Sequence, residues 1–197
     1  NTDICTGCKA CMTSCFDRNN LEVPQKFRKV FEFGGGEWKA DDAGAFTATA
    51  FTYYVSMTCG HCENPACVEV CPTGAHHKDE ETGIVSITAD DCIGCQSCVK
   101  ACPYGAPQFV EAKTITEKCD MCAELQAHGE EPACVAICPQ RALKIGDIDE
   151  LRAEYGDVRD IQPLPDSAQT EPNVVIVAHR NGRAAADDDW RMLSLEQ

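Results

Sequence analysis

Cys92-Ile93-Gly94-Cys95-Gln96-Ser97-Cys98-Val99-Lys100-Ala101-Cys102-Pro103 is the stretch on which the fold turns. Its spacing is C-x2-C-x2-C-x3-C-P, and Cys5, Cys8, Cys11 and Cys15 repeat it with Phe16 in place of the proline. Cys59, Cys62, Cys67 and Cys71 form a looser C-x2-C-x4-C-x3-C-P run. Cys119, Cys122, Cys134 and Cys138 form a C-x2-C-x11-C-x3-C-P run. The 16 cysteines of this 197-residue chain therefore fall into four groups of four, with none left over. At that density cysteine chemistry rather than apolar burial specifies a fold, and an aromatic content of only 7% agrees.

The spacing selects the chemistry. C-x2-C-x2-C-x3-C-P is the bacterial ferredoxin run, which holds a [4Fe–4S] cube. Two-residue gaps let three thiolates curl around one face of a cube while backbone N–H groups point at its sulfides. The fourth cysteine is expected to start the next short helix and ligate a different cluster, the following proline suiting a first helical turn. Gly7, Gly60, Gly94, Ala10 and Ala101 are small enough to lie beside a cluster. Disulfides do not suit repeated C-x2-C pairs, which close strained, tiny loops. Zinc uses pairs separated by a longer loop rather than a tight triple, and a redox dithiol needs one such motif, not four. The reading is four [4Fe–4S] clusters.

The chain also repeats between the runs. After Cys71-Pro72 comes His76-His77-Lys78, a polar turn from Asp79 to Gly83, and Ile84 to Ile87 leading to Cys92. After Cys102-Pro103 comes Gln108 to Val110 and Thr114 to Thr116, leading to Cys119. Each run thus feeds a short hairpin that delivers the next. The fold class is α+β: tandem ferredoxin-like repeats with small two-stranded sheets, a β insertion and an irregular C-terminal arm. The units are residues 1–15 with 103–145, the insertion 16–58, residues 59–102, and the arm 146–197. In the insertion, Phe27 to Phe33 alternates as a strand, Gly34-Gly35-Gly36 reads as a turn, and Phe46 to Met57 as a longer strand or hairpin partner. The arm holds a helix from Asp147 to Tyr155 stopped by Gly156, a Pro-rich loop, a strand from Asn173 to Val177, and an aperiodic tail from Arg180.

Charge bounds the partners. Seventeen basic against 32 acidic residues give a formal net charge of −15, which repels phosphate backbones and anionic lipid, so no nucleic acid is expected as a partner. The longest apolar run, Val174 to Ala178, falls far short of the roughly 20 residues needed to span a bilayer, so no direct membrane insertion is expected. No nucleophile–base constellation is evident, so no independent catalysis is expected. His61 is read as packing or hydrogen bonding near a cluster, His76 and His77 as surface residues, and Trp38 as core or interface. The sequence starts without Met, and only Asn1 to Ile4 precede Cys5. About one strand, roughly 5–10 residues, is therefore expected upstream.

Residues beyond the cysteines resemble one family. Cys59-Gly60-His61-Cys62-Glu63-Asn64-Pro65-Ala66-Cys67 and Lys118-Cys119-Asp120-Met121-Cys122, with Gly129 and Pro132-Ala133-Cys134-Val135, are similar to four-cluster subunits of molybdopterin oxidoreductases. The Phe27 to Phe33 stretch with Gly35-Gly36-Glu37-Trp38, Phe51 to Ser56, Cys102-Pro103-Tyr104-Gly105-Ala106-Pro107-Gln108, and Ile148-Asp149-Glu150-Leu151-Arg152 resemble the iron–sulfur subunit of the dimethyl sulfoxide reductase type.

The resemblance implies the ligand sets. Cys5, Cys8 and Cys11 pair with Cys138 (set one), and Cys119, Cys122 and Cys134 with Cys15 (set two). Cys59, Cys62 and Cys67 pair with Cys102 (set three), and Cys92, Cys95 and Cys98 with Cys71 (set four). It implies an electron-transfer subunit between a membrane anchor that oxidises menaquinol and a large catalytic subunit, which alone carries the molybdopterin. It also implies a place peripheral to the cytoplasmic membrane, on its outer face, reached by co-export with a signal-bearing partner, the alternative being the cytoplasm. Related nitrate-reductase subunits carry tryptophan where this chain has Cys95; here the thiolate is retained. The rival readings are a free-standing soluble polyferredoxin, and the equivalent subunit of a polysulfide, formate or nitrite system.

Overall fold

The computed structural model describes residues 1–182 and the backbone of residues 190–192. Its largest sheet lies in the insertion. Strand β1 (Lys29–Gly35) pairs antiparallel with β4 (Phe51–Met57), in register from Lys29 opposite Met57 to Gly35 opposite Phe51. The β1 strand runs through Gly34 and Gly35, so the turn expected there starts only at Gly36, whose φ of +83° suits glycine. The Phe46 to Met57 stretch is broken at Thr49 and Ala50. Its first part, β3 (Phe46–Ala48), pairs instead with β2 (Trp38–Ala40). Trp38, Ala40, Phe46 and Ala48 therefore share one face of this outer hairpin, because cross-strand partners and alternate residues point the same way. Trp38 and Phe46 are 69% and 70% exposed, so Trp38 is not a core residue.

The sheet is closed on its other edge from the far end of the chain. Strand β9 (Trp190–Met192) pairs antiparallel with β1, giving the order β4-β1-β9. A strand within the tail replaces the uniformly aperiodic arm expected there, whose residues 183–189 and 193–197 lie outside the described part. Phe33, Tyr53 and Val55 are buried against Ile161, Leu164 and Ile176. The buried Tyr53 hydroxyl donates to the Gln162 carbonyl at 3.0 Å, so its polar end is satisfied inside the core.

Around the cysteines, elements are short. Helix α1 (Ala10–Arg18) packs on α5 (Ala133–Ala136), and α2 (Ala66–Glu69) on α3 (Ser97–Ala101). The hairpins β5 (His76–Lys78) with β6 (Val85–Ile87), and β7 (Gln108–Val110) with β8 (Ile115–Glu117), link the runs as the sequence predicts. Helix α4 (Ala123–Ala127) fills part of the long gap in the fourth run.

The fourth cysteine of a run does not start a helix. In the three runs that end in proline it lies beyond the helix that carries the third: Cys102 is extended (ψ 114°) directly after α3. The proline acts by excluding its predecessor from helical geometry. Cys15, followed by Phe16, is free of that restriction, and α1 accordingly runs on through it to Arg18.

Helix α6 (Ile148–Tyr155) is capped by Asp147, whose side chain accepts from the N–H groups of Asp149 and Glu150, and it stops at Gly156 with φ +88°. Residues 173–177 are not a strand. They run as a strap: the Asn173 N–H donates to the Gly60 carbonyl, that of Ile176 to Val158, and that of Thr2 to Val177. Pro172 passes so close to Gly60 that a Cβ there would lie 2.7 Å from its Cβ, which explains a glycine beside Cys59.

Candidate iron–sulfur site

The four runs share a backbone signature. The residue just before the second cysteine is left-handed in each: Gly7 (φ +64°), His61 (+42°), Gly94 (+67°) and Met121 (+60°). In the two tight runs the residue after that cysteine is left-handed as well, Lys9 and Gln96 both at φ +60°. These two are the N-cap positions of α1 and α3. Three residues beyond the last cysteine the pattern recurs at Gly74 (+71°), Gly105 (+58°) and Arg141 (+52°). Left-handed backbone at a non-glycine residue costs about 1–2 kcal/mol. Strain of this kind concentrates at functional sites, where surrounding structure over-determines it. In the first run the result is that Cys5, Cys8 and Cys11 line one pocket.

Backbone N–H groups then meet sulfur. Met121 donates to Cys119 Sγ at 3.3 Å, Ala142 to Cys138 Sγ at 3.3 Å, His76 to Cys71 Sγ at 3.4 Å and Thr116 to Cys92 Sγ at 3.5 Å. Such donors favour the thiolate, the form that binds metal. All 16 cysteines are free of disulfides.

The fold brings cysteines from distant runs together. Cys5, Cys8, Cys11 and Cys138 line one small pocket with Gly7 and Ala142. Cys15, Cys119, Cys122 and Cys134 line a cavity of about 760 Å³, which Cys5 and Cys59 also border. Burial pushes the Cys15 thiol up to about 12, and charge on Cys119, Cys134 and Cys122 adds to the rise. Burial likewise pushes Cys67 up to about 11, with Cys102 and Cys62 contributing in the same sense. Cys71 lies near enough to Cys95 to oppose its ionisation, although the Ser97 hydroxyl, the larger influence, lowers the Cys95 thiol overall. Cys59, pushed up to about 12 chiefly by burial, feels Cys119 across the boundary between the second and third sets.

Exposure divides the sets. Cys8 and Cys95, in the first and fourth, are the exposed cysteines, whereas none in the second or third is exposed.

Three polar residues are not legible in the sequence as site residues. Arg28 is buried, and its Nη1 donates to the Ser56 carbonyl at 3.3 Å and Oγ at 3.0 Å; Ser56 Oγ in turn lies 3.3 Å from Cys11 Sγ. Lys118 is buried, with Nζ donating to the carbonyls of Val85 and Cys119. His76 is 2% exposed, which corrects its placement on the surface, while His77 is exposed. His61 is buried as well, its Nδ1 accepting from the Val85 N–H at 3.0 Å, the hydrogen bond expected of it; burial lowers its pKa to about 3. The neighbours Phe27-Arg28 and Lys118-Cys119 are the available signals, but a lone cation in a sequence reads as surface.

These residues fit anionic iron–sulfur clusters. The Nε of Arg28, the Nε2 of His61 and both ring nitrogens of His76 are buried without a hydrogen-bond partner, in the same region as thiols that burial keeps protonated. Metal coordination deprotonates such thiols, and a bound anionic cluster gives the buried cations a counter-charge.

Comparison with known proteins agrees with this geometry. The 4Fe-4S dicluster domain matches residues 50–148, and a second dicluster match covers residues 4–75. The B subunit of anaerobic dimethyl sulfoxide reductase from Escherichia coli is 48% identical over 93% of this chain and 88% of its own length. The chain belongs to the family of dimethyl sulfoxide reductase iron–sulfur subunits. Two further relatives match over most of the chain. The B subunit of polysulfide reductase from Wolinella succinogenes is 35% identical over 91% of this chain and 92% of its own. The thiosulfate reductase electron transfer subunit of Salmonella typhi is 41% identical over 74% and 72%. The tandem dicluster fold and an electron-relay role without a catalytic centre of its own follow from that membership.

Proposed function

We propose that this chain holds four [4Fe–4S] clusters in the cross-paired sets given above and carries electrons from a quinol-oxidising membrane anchor to a large molybdopterin subunit of the dimethyl sulfoxide reductase type. When bound, the clusters supply one-electron carriers; the chain's residues hold them, exclude water and set their surroundings. Residues 1–15 with 103–145 form one two-cluster unit and residues 59–102 the other. The observation that carries the reading is the distribution of exposure. Cys8 and Cys95 reach the surface at the two terminal sets while the middle sets are covered, as a relay with an entry and an exit requires. Neighbouring thiols join set two to set three through Cys119 and Cys59, and α1 carries Cys11 of set one and Cys15 of set two.

Exposed apolar residues support a place in an assembly. Ile93 beside Cys95 is 63% exposed and Ile4 beside Cys5 43%, and the Trp38 and Phe46 hairpin face is open. Among the described residues no helix is long and apolar enough to cross a membrane, so the anchor is assigned to a partner. From the family resemblance we also propose a position on the outer face of the cytoplasmic membrane, reached by co-export with a signal-bearing partner.

Purification from cells grown anaerobically tests the assignment. The polypeptide should travel with a large molybdenum-containing subunit, and menaquinol should reduce its clusters only when the anchor is present. A polypeptide that runs alone and exchanges electrons with several soluble enzymes would contradict it. Protease added to spheroplasts should cleave it; full protection would place it in the cytoplasm.

A further inference from the structure

Arg28 and Lys118 stand out among the buried groups because neither has a carboxylate partner. Among the described residues their hydrogen-bond partners are Ser56 and the Cys134 sulfur for Arg28, and the carbonyls of Val85 and Cys119 for Lys118. A buried cation without an opposing charge is expensive, and removing one member of a buried pair typically costs several kcal/mol. Something anionic must therefore face each of them.

Their surroundings identify what. Arg28 lies against Cys134, Cys119 and Cys11, and also faces Cys15, so it stands between the first and second sets. Lys118 faces Cys59, Cys67 and Cys62 of the third set and adjoins Cys119 of the second. Each cation thus sits at a junction between successive sets, and the two junctions are different.

We propose that Arg28 and Lys118 are positioning residues for electron transfer, fixed positive charges that make each junction favourable to an arriving electron. The proposal rests on the four-cluster reading above. A cluster with four thiolate ligands is an anion even when oxidised, and an arriving electron deepens that charge while the neighbouring donor loses the same amount. A desolvated cation nearby favours the reduced form, because cluster potential follows net charge, hydrogen bonding to sulfur and solvent exposure. Arg28 should raise the potentials of the first and second clusters, and Lys118 chiefly that of the third. The fourth set, which Lys118 meets through Val85 packed on Cys98, should shift less than the third. Guanidinium suits the first junction because it stays charged in a dry site and can hold Ser56 and a sulfur together.

The test is a redox titration of the purified complex followed by electron paramagnetic resonance, with iron and labile sulfide counted on the same samples. Arg28→Gln should shift the first and second clusters' reduction equilibria at least tenfold toward the oxidised form, about 59 mV for a one-electron step. Lys118→Met should do the same to the third. Arg28→Lys and Lys118→Arg should restore most of each shift. Unchanged potentials at full iron content, or an equal shift in all four clusters, would overturn the proposal. If Arg28→Gln loses iron, Arg28→Lys decides: retained clusters support a role for charge, whereas the same loss would mean that guanidinium packing alone matters. A wild-type sample lacking the four clusters would instead defeat the underlying reading of the site.

Discussion

In the β4-β1-β9 sheet, Phe33, Tyr53 and Val55 bury one another against Ile161, Leu164 and Ile176, an apolar core of the ordinary kind. Around the cysteine runs the buried clusters are different in composition. One is Cys67, Val85 and Cys98; another is Cys15, Leu21 and Phe27. Thiols stand where aliphatic side chains would be, and the helices that carry them are mostly four or five residues long. Helices so short are not stable by propensity alone. One region is held by removing carbon from water; the other needs a bond to metal to offset its chain entropy. The two are joined because Arg28, just before β1, and Ser56 of β4 reach from the sheet to Cys11, and Arg28 also to Cys134 and Cys119.

Chelation of iron should separate the two regions most sharply. Amide exchange should become fast throughout residues 5–18 and 59–142 while β1 and β4 keep protection, and helical circular dichroism should fall. Uniform protection after iron removal would break the comparison.

Phe33→Ala is the reciprocal experiment. Truncating this fully buried ring should cost about 3–5 kcal/mol in denaturant unfolding, with the paramagnetic spectrum of the remaining folded protein unchanged. Loss of cluster signals in step with the sheet would mean that the regions are one cooperative unit.

Gly94→Ala probes the cysteine region locally. At φ +67° a side chain costs about 1–2 kcal/mol, and the new Cβ would also fall 2.4 Å from the Thr114 carbonyl oxygen. Iron should be lost from the fourth set with the other three intact. Gly44→Ala, at φ +78° in the exposed outer hairpin with no atom near its Cβ, is the control for strain without contact and should leave iron content unaltered.

The smallest effect belongs to Asp147→Ala. Loss of the cap on α6 should lower stability by about 1 kcal/mol, seen as a small fall in the urea midpoint with no change in iron content.

The sequence exposes the cysteine region more fully than the sheet. Ligand type, gap length and the proline after Cys71, Cys102 and Cys138 are local properties, and the hairpins between the runs carry their own turn residues. Pairing Phe33 with Met192 is not local: nothing near either residue announces a partner across the length of the chain. The strap at residues 173–177 alternates too little to distinguish an extended loop from a strand. It is fixed by single hydrogen bonds to Gly60, Val158 and Thr2 rather than by a ladder. The burial of Arg28, Lys118 and His76 is hidden for a related reason, since the groups around each come from distant parts of the chain. The position of the fourth cysteine relative to its helix is ambiguous in the sequence because proline can open a helix or end one; in the structure its effect on the preceding residue prevails.

The central claim is tested most directly by the composition of the purified, anaerobically handled complex, read by iron and labile-sulfide analysis together with electron paramagnetic resonance. Four intact cubes predict one iron and one sulfide for every cysteine, and no strong [3Fe–4S] signal in the air-oxidised wild type. They also predict the gain of such a signal in Cys95→Ser as the fourth set gives up one iron. Zinc in place of iron, a shortfall of a whole cluster, or a full-strength [3Fe–4S] signal in the wild type would contradict it.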